Sequence, residues 1–112
     1  MKNIGIIGGG LIGSSWAAIF SKSGCNVFVY DPYPEVFNGY EERVTLFLEE
    51  LKAIDDKVDV DKCLNKISKN VSLEELCAKV EYIQESAPEI LSVKQELFLS
   101  LIHISEPTRR AL

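Results

Sequence analysis

The chain has 112 residues, 46% of them apolar and 26% charged, and a net charge of −5; this suits one domain with a real core. Its acidic and basic residues are intermixed, without the concentrated basic surface that phosphate backbones require, so nucleic acid is excluded as the main partner. The longest uncharged run, residues 3–21, holds five glycines with Asn and Ser and reads neither as a membrane span nor as a signal peptide.

The run Asn3-Ile4-Gly5-Ile6-Ile7-Gly8 is short, apolar and closed by glycine, the pattern of a buried parallel strand. From residue 10 to 23 the period changes to helical: Ile12, Trp16, Ile19 and Phe20 share one face, and Gly24 is a good stop. A second strand covers residues 26–31, and Pro32 and Pro34 prevent its continuation. A longer helix is expected over residues 35–53, because Val36, Tyr40, Val44, Phe47, Leu51 and Ile54 repeat at spacings of three and four; Gly39 weakens its start. Residues 55–65 read as a charged loop with room for one helical turn, and Ile67 marks a short third strand. Ser72 with Glu75 forms a capping box for a helix reaching residue 78. Residues 80–84 read as a fourth strand. Pro88 then suits the first turn of a helix whose Ile90, Val93 and Leu97 share a face.

Strands and helices that alternate in this way imply a parallel sheet covered on both faces, wound as a doubly wound α/β (Rossmann) fold. The cysteines, Cys25, Cys63 and Cys77, are 38 and 14 residues apart. They fit no zinc or redox spacing and read as reduced, buried thiols of a cytoplasmic protein.

Gly8-Gly9-Gly10-Leu11-Ile12-Gly13 matches G-x-G-x-x-G where that motif has a physical meaning, directly after a strand and at the opening of a helix. Gly8 permits the tight turn, Gly10 lets backbone approach a pyrophosphate, and Gly13 lets the helix pack close to the strand. The free N–H groups of the helix start, from Leu11 and Ile12 onward, then face the phosphates. Asp31 ends the second strand, 18 residues after Gly13. A carboxylate there accepts hydrogen bonds from the adenosine ribose hydroxyls. It would repel a 2′-phosphate, and no Lys or Arg lies between Lys22 and Arg43 to neutralise one. The expected cofactor is therefore NAD.

The stretch GIIGGGLIGSSWAAIFSKSGCNVFVYDP, with QESAPEILSVKQELF further on, resembles the NAD-binding domain of the 3-hydroxyacyl-CoA dehydrogenase family. Within it, Gly-Ser-Ser-Trp-Ala at residues 13–17 and Gln-Glu-Ser-Ala-Pro-Glu at 84–89 favour the branch that contains lambda-crystallin and carnitine dehydrogenase. The resemblance covers residues 2–98. It implies that Glu89 and Lys94, in the pattern Pro-Glu-x-x-x-x-Lys, touch the cofactor. It also implies hydride transfer between nicotinamide and the C3 hydroxyl carbon of a small substrate, a 3-hydroxyacyl-CoA or related 3-hydroxy acid, in a homodimeric enzyme. The family's general base is a His held by a Glu and helped by a Ser and an Asn, all beyond the fourth strand and its helix. Nothing here matches them, and His103 is the single histidine. A non-catalytic NAD-binding or sensing module is the rival reading.

The pattern breaks at Leu99. Leu99 to Arg109 reads LSLIHISEPTR, the translation of the transposon mosaic-end adapter used in sequencing libraries. Residues 1–98 are thus expected to be the N-terminal part of a dinucleotide-binding domain, its first four strands only, and residues 99–112 a non-native read-through tail. Such a fragment would be inactive and marginally stable, with the edge of its fourth strand open and residues 108–112 disordered.

Overall fold

The apolar run after Lys2 forms β1 (Asn3–Ile7), buried in all but its first residue. In chain order it is followed by α1 (Leu11–Lys22), β2 (Asn26–Tyr30), a 3-10 turn at Pro34–Phe37, α2 (Tyr40–Ile54), α3 (Val60–Leu64), β3 (Ile67–Ser68), α4 (Leu73–Lys79), β4 (Tyr82–Glu85) and β5 (Arg109–Ala111). The computed structural model describes residues 2–85 and the backbone of 109–111. The strands lie in the order β3-β2-β1-β4-β5, every neighbouring pair parallel. β1 is central, with Ile4 opposite Val27 on one side and Tyr82 on the other.

Strand periodicity sends alternate residues to opposite faces, and both faces are covered. Ile6, Val27 and Val29 pack with Ala17 and Ala18 of α1, Tyr40, Val44 and Leu48 of α2, and Cys63 of α3. On the other face Ile7 and Ile83 pack with Leu76 and Cys77 of α4 and with Val80. This is the doubly wound arrangement expected from the sequence. Its first four strands fall where the pattern puts them, β4 starting two residues later than expected.

The helices depart from the sequence reading in instructive ways. On α1 the buried residues are Gly13, Ser14, Ala17, Ala18 and Ser21. Ile12 and Ile19, read as part of the apolar stripe, are 63% and 42% exposed, and Trp16 and Phe20 only flank the core. Close approach of a helix to the sheet needs small side chains at the contact, and that requirement overrides the pattern of large apolar residues. α2 begins at Tyr40, not at residue 35, because Gly39 takes a left-handed φ of 71°; Pro34 instead opens the separate 3-10 turn. Ile54, the last member of the expected stripe, is 87% exposed. At α4 the Ser72 hydroxyl accepts from the Glu75 N–H at 3.0 Å, as a capping residue should. The Glu75 carboxylate, however, takes Lys79 Nζ at 3.0 Å one turn on.

For residues 109–111 the expectation of disorder is corrected by β5, while residues 108 and 112 lie outside the described residues. Tyr82, Ile83 and Gln84 pair with Arg109, Arg110 and Ala111, so the edge of β4 is covered over these residues. An edge strand presents unpaired N–H and C=O groups that any extended segment can satisfy. Three residues beyond Pro107 are enough to take that place.

Cys25, Cys63 and Cys77 are free thiols. Burial pushes the Cys77 thiol above its ordinary range, which keeps it protonated and unreactive. Among the described residues no helix is long and apolar enough to cross a membrane.

Candidate cofactor site

The connection from β1 to α1 lies at the carboxyl ends of the central strands, where doubly wound sheets bind their ligands. Gly8 donates its N–H to the Tyr30 carbonyl at 2.8 Å, extending the β1–β2 ladder by one residue. Its φ of 127° is a conformation that L side chains rarely adopt, so the chain turns there. Gly10 caps α1 with φ −76° and extended ψ. A Cβ built on it meets nothing within 4 Å, so the space in front of the helix start is open to a ligand. Leu11 and Ile12, 65% and 63% exposed, flank that space on the first turn of α1. Gly13 is buried beneath them.

Asp31 follows β2 and is only 7% exposed. Its Oδ2 accepts from the Gly9 N–H and its Oδ1 from the Tyr33 N–H, both at 2.8 Å. The carboxylate therefore fixes the glycine turn and also begins the turn toward the 3-10 segment. Each carboxylate oxygen has a second lone pair, which leaves acceptor capacity for ribose hydroxyls. Gly8, Gly10, Leu11, Ile12, Gly13 and Asp31 thus come together at one corner of the sheet. Glu89 and Lys94 lie outside the described residues.

Sequence reasoning missed three participants. Gly9, an unspecified position in the motif, is tightly enclosed: a Cβ there would sit 2.8 Å from Val36 Cγ1 and 3.1 Å from Phe37 Cε1. Ser14 is fully buried and donates its hydroxyl to the Gly10 carbonyl at 2.7 Å. Arg43 of α2 returns to the glycine turn, donating from Nη2 to the Gly9 carbonyl at 2.9 Å and from Nη1 to the Asn38 carbonyl at 3.0 Å. Its Nη2 also donates to the Val36 carbonyl. Gly9 could have been suspected from the run of three glycines. Nothing local to residue 43 announces a contact with a turn so far back in the chain.

The open turn, the bare Gly10 and the anchored carboxylate fit the pyrophosphate and ribose of a dinucleotide. Residues 3–109 match the family model described as 3-hydroxyacyl-CoA dehydrogenase, NAD binding domain. The chain belongs to this family. It is an NAD-binding domain of the doubly wound type, and its cofactor is NAD.

Lambda-crystallin of Oryctolagus cuniculus is 32% identical over 99 residues, which cover 86% of this chain and 31% of that protein. The L-carnitine dehydrogenase/betainyl-CoA thioesterase of Ruegeria pomeroyi is 34% identical over 107 residues, 96% of this chain and 22% of that one. The chain thus spans about a fifth to a third of the length of these relatives. Among solved structures, (S)-3-hydroxybutyryl-CoA dehydrogenase PaaH1 from Ralstonia eutropha superposes with a TM-score of 0.79 at 22% identity. That match covers 96% of this chain and 38% of the other, and it bears out the fold.

Proposed function

We propose that this chain forms the NAD site of an oxidoreductase acting on the C3 hydroxyl carbon of a 3-hydroxyacyl-CoA or a related 3-hydroxy acid. The observation that carries the proposal is the open, carboxylate-anchored glycine turn: Gly10 with nothing within 4 Å of its Cβ position, beside Asp31 bonded to Gly9. The names of the relatives support the substrate class, since carnitine, named in one of them, is itself a 3-hydroxy acid.

In this reading the N–H groups of Gly10, Leu11 and Ile12 hold the pyrophosphate at the positive end of α1. Asp31 accepts from the adenosine ribose and disfavours a 2′-phosphate. Glu89 and Lys94 lie on the nicotinamide side, as the family resemblance implies. NAD, when bound, supplies the carbon that takes the hydride. No residue of this chain matches the family's general base, so residues 1–98 bind and orient the cofactor, and the proton of the substrate hydroxyl is handled elsewhere in the protein. The same resemblance implies a homodimer for the whole protein, and the free thiols of Cys25, Cys63 and Cys77 favour the cytoplasm.

The test joins residues 1–98 to the catalytic remainder of a carnitine dehydrogenase relative. NAD reduction is then followed at 340 nm with carnitine and with 3-hydroxybutyryl-CoA. NAD-dependent oxidation of at least one of them is expected. A folded chimaera that binds NAD yet oxidises neither would favour a non-catalytic NAD-binding module.

A further inference from the structure

Arg43 spends its guanidinium on the glycine turn and the segment after Asp31. Four of its N–H groups have protein acceptors: Nη2 to Gly9 and Val36, Nη1 to Asn38, and Nε to the Ser14 hydroxyl at 3.4 Å. The Gly9 carbonyl belongs to the same peptide unit as the N–H of Gly10. That unit is planar and trans, so its C=O and N–H point in opposite directions. Holding the oxygen inward on Arg43 therefore turns the Gly10 N–H outward, toward the open space in front of α1. No acceptor among the described residues takes that N–H.

We propose that Arg43 is a positioning residue of the cofactor cradle: it orients and polarises the Gly9–Gly10 peptide so that the Gly10 N–H meets the pyrophosphate. This rests on the reading of the glycine turn as the NAD site. A cation on a carbonyl oxygen strengthens the N–H of the same amide as a donor. Ser14 extends the device by one residue. Its hydroxyl accepts from Arg43 and donates to the Gly10 carbonyl, so two successive peptide units are fixed from one side chain. The bonds to Val36 and Asn38 tie the segment after Asp31 to the same point. Only a planar fork of donors reaches these acceptors together; a lysine ammonium on its flexible stem cannot.

The test uses the 15N-labelled 112-residue chain with Arg43→Lys and Arg43→Met, titrated with NAD and separately with inorganic pyrophosphate, and melted by circular dichroism. In the parent chain pyrophosphate is expected to move the Gly10 amide resonance. In Arg43→Met the free Gly10 amide proton should shift upfield, and affinity for both ligands should fall about tenfold. Arg43→Lys should recover part of the loss. A folded Arg43→Met chain with parental NAD affinity would overturn the proposal. If that variant does not fold, Arg43→Lys decides, and parental affinity with an unshifted Gly10 amide would overturn it equally. A parent chain whose Gly10 amide responds to pyrophosphate but which does not bind NAD would remove the NAD reading and leave the role of Arg43 standing. A parent chain whose Gly10 amide ignores pyrophosphate refutes the role itself.

Discussion

Gly10→Val is expected to weaken NAD binding by at least about a hundredfold, or about 2.8 kcal/mol, while shifting the melting temperature by only a few degrees. The two halves of this result come from one geometry. The backbone of Gly10, at φ −76° with extended ψ, is open to any residue, and its Cβ position touches nothing; the folded chain therefore accepts valine without strain. The added methyl groups would occupy the space through which the pyrophosphate reaches the start of α1. Displacing an anion from charge-assisted hydrogen bonds costs about 1.5–3 kcal/mol for each bond lost. Gly9→Ala would behave differently, since its Cβ would press on Val36 and Phe37 and disturb the turn itself. Calorimetry for binding and circular dichroism for melting separate the two outcomes. Parental NAD affinity in Gly10→Val would remove the pyrophosphate from this turn.

Asp31→Asn is expected to weaken NAD about tenfold and to shrink the preference for NAD over NADP. Asparagine can serve the Gly9 N–H through its one oxygen, but it cannot also accept from Tyr33 as the carboxylate does. It also lacks the charge that strengthens such bonds and repels a 2′-phosphate. Among the described residues Arg43 is not ion-paired with Asp31. It stands close to the turn, but its donors are directed to the carbonyls of Gly9, Val36 and Asn38 and to Ser14 and not to a ribose phosphate. Titrations of the parent and the variant with both cofactors measure the effect. An unchanged ratio of affinities would take specificity away from Asp31.

The fold was legible in the sequence because β1 and β2 are apolar runs closed by glycine or proline, and because the glycine motif fixes what a strand–turn–helix must do. The same motif and Asp31 come together at one corner of the candidate cofactor site. Other features depend on contacts that no local pattern encodes. The buried face of α1 consists of Gly13, Ser14, Ala17, Ala18 and Ser21, where close packing outweighs hydrophobicity. The start of α2 is set by the left-handed Gly39, and β5 forms because β4 offers it a partner. Arg43 meets Gly9 across 34 residues. That contact exists only once α2 is laid against α1 and the turn is folded beneath it.

The most direct measurement is a calorimetric titration of NAD, and in parallel NADP, into the folded 112-residue chain. Saturable one-to-one binding of NAD is predicted, with NADP weaker by about tenfold or more because a 2′-phosphate would face the Asp31 carboxylate. A chain that melts cooperatively yet gives no saturable heat with NAD, or that binds NADP the more tightly, would contradict the account.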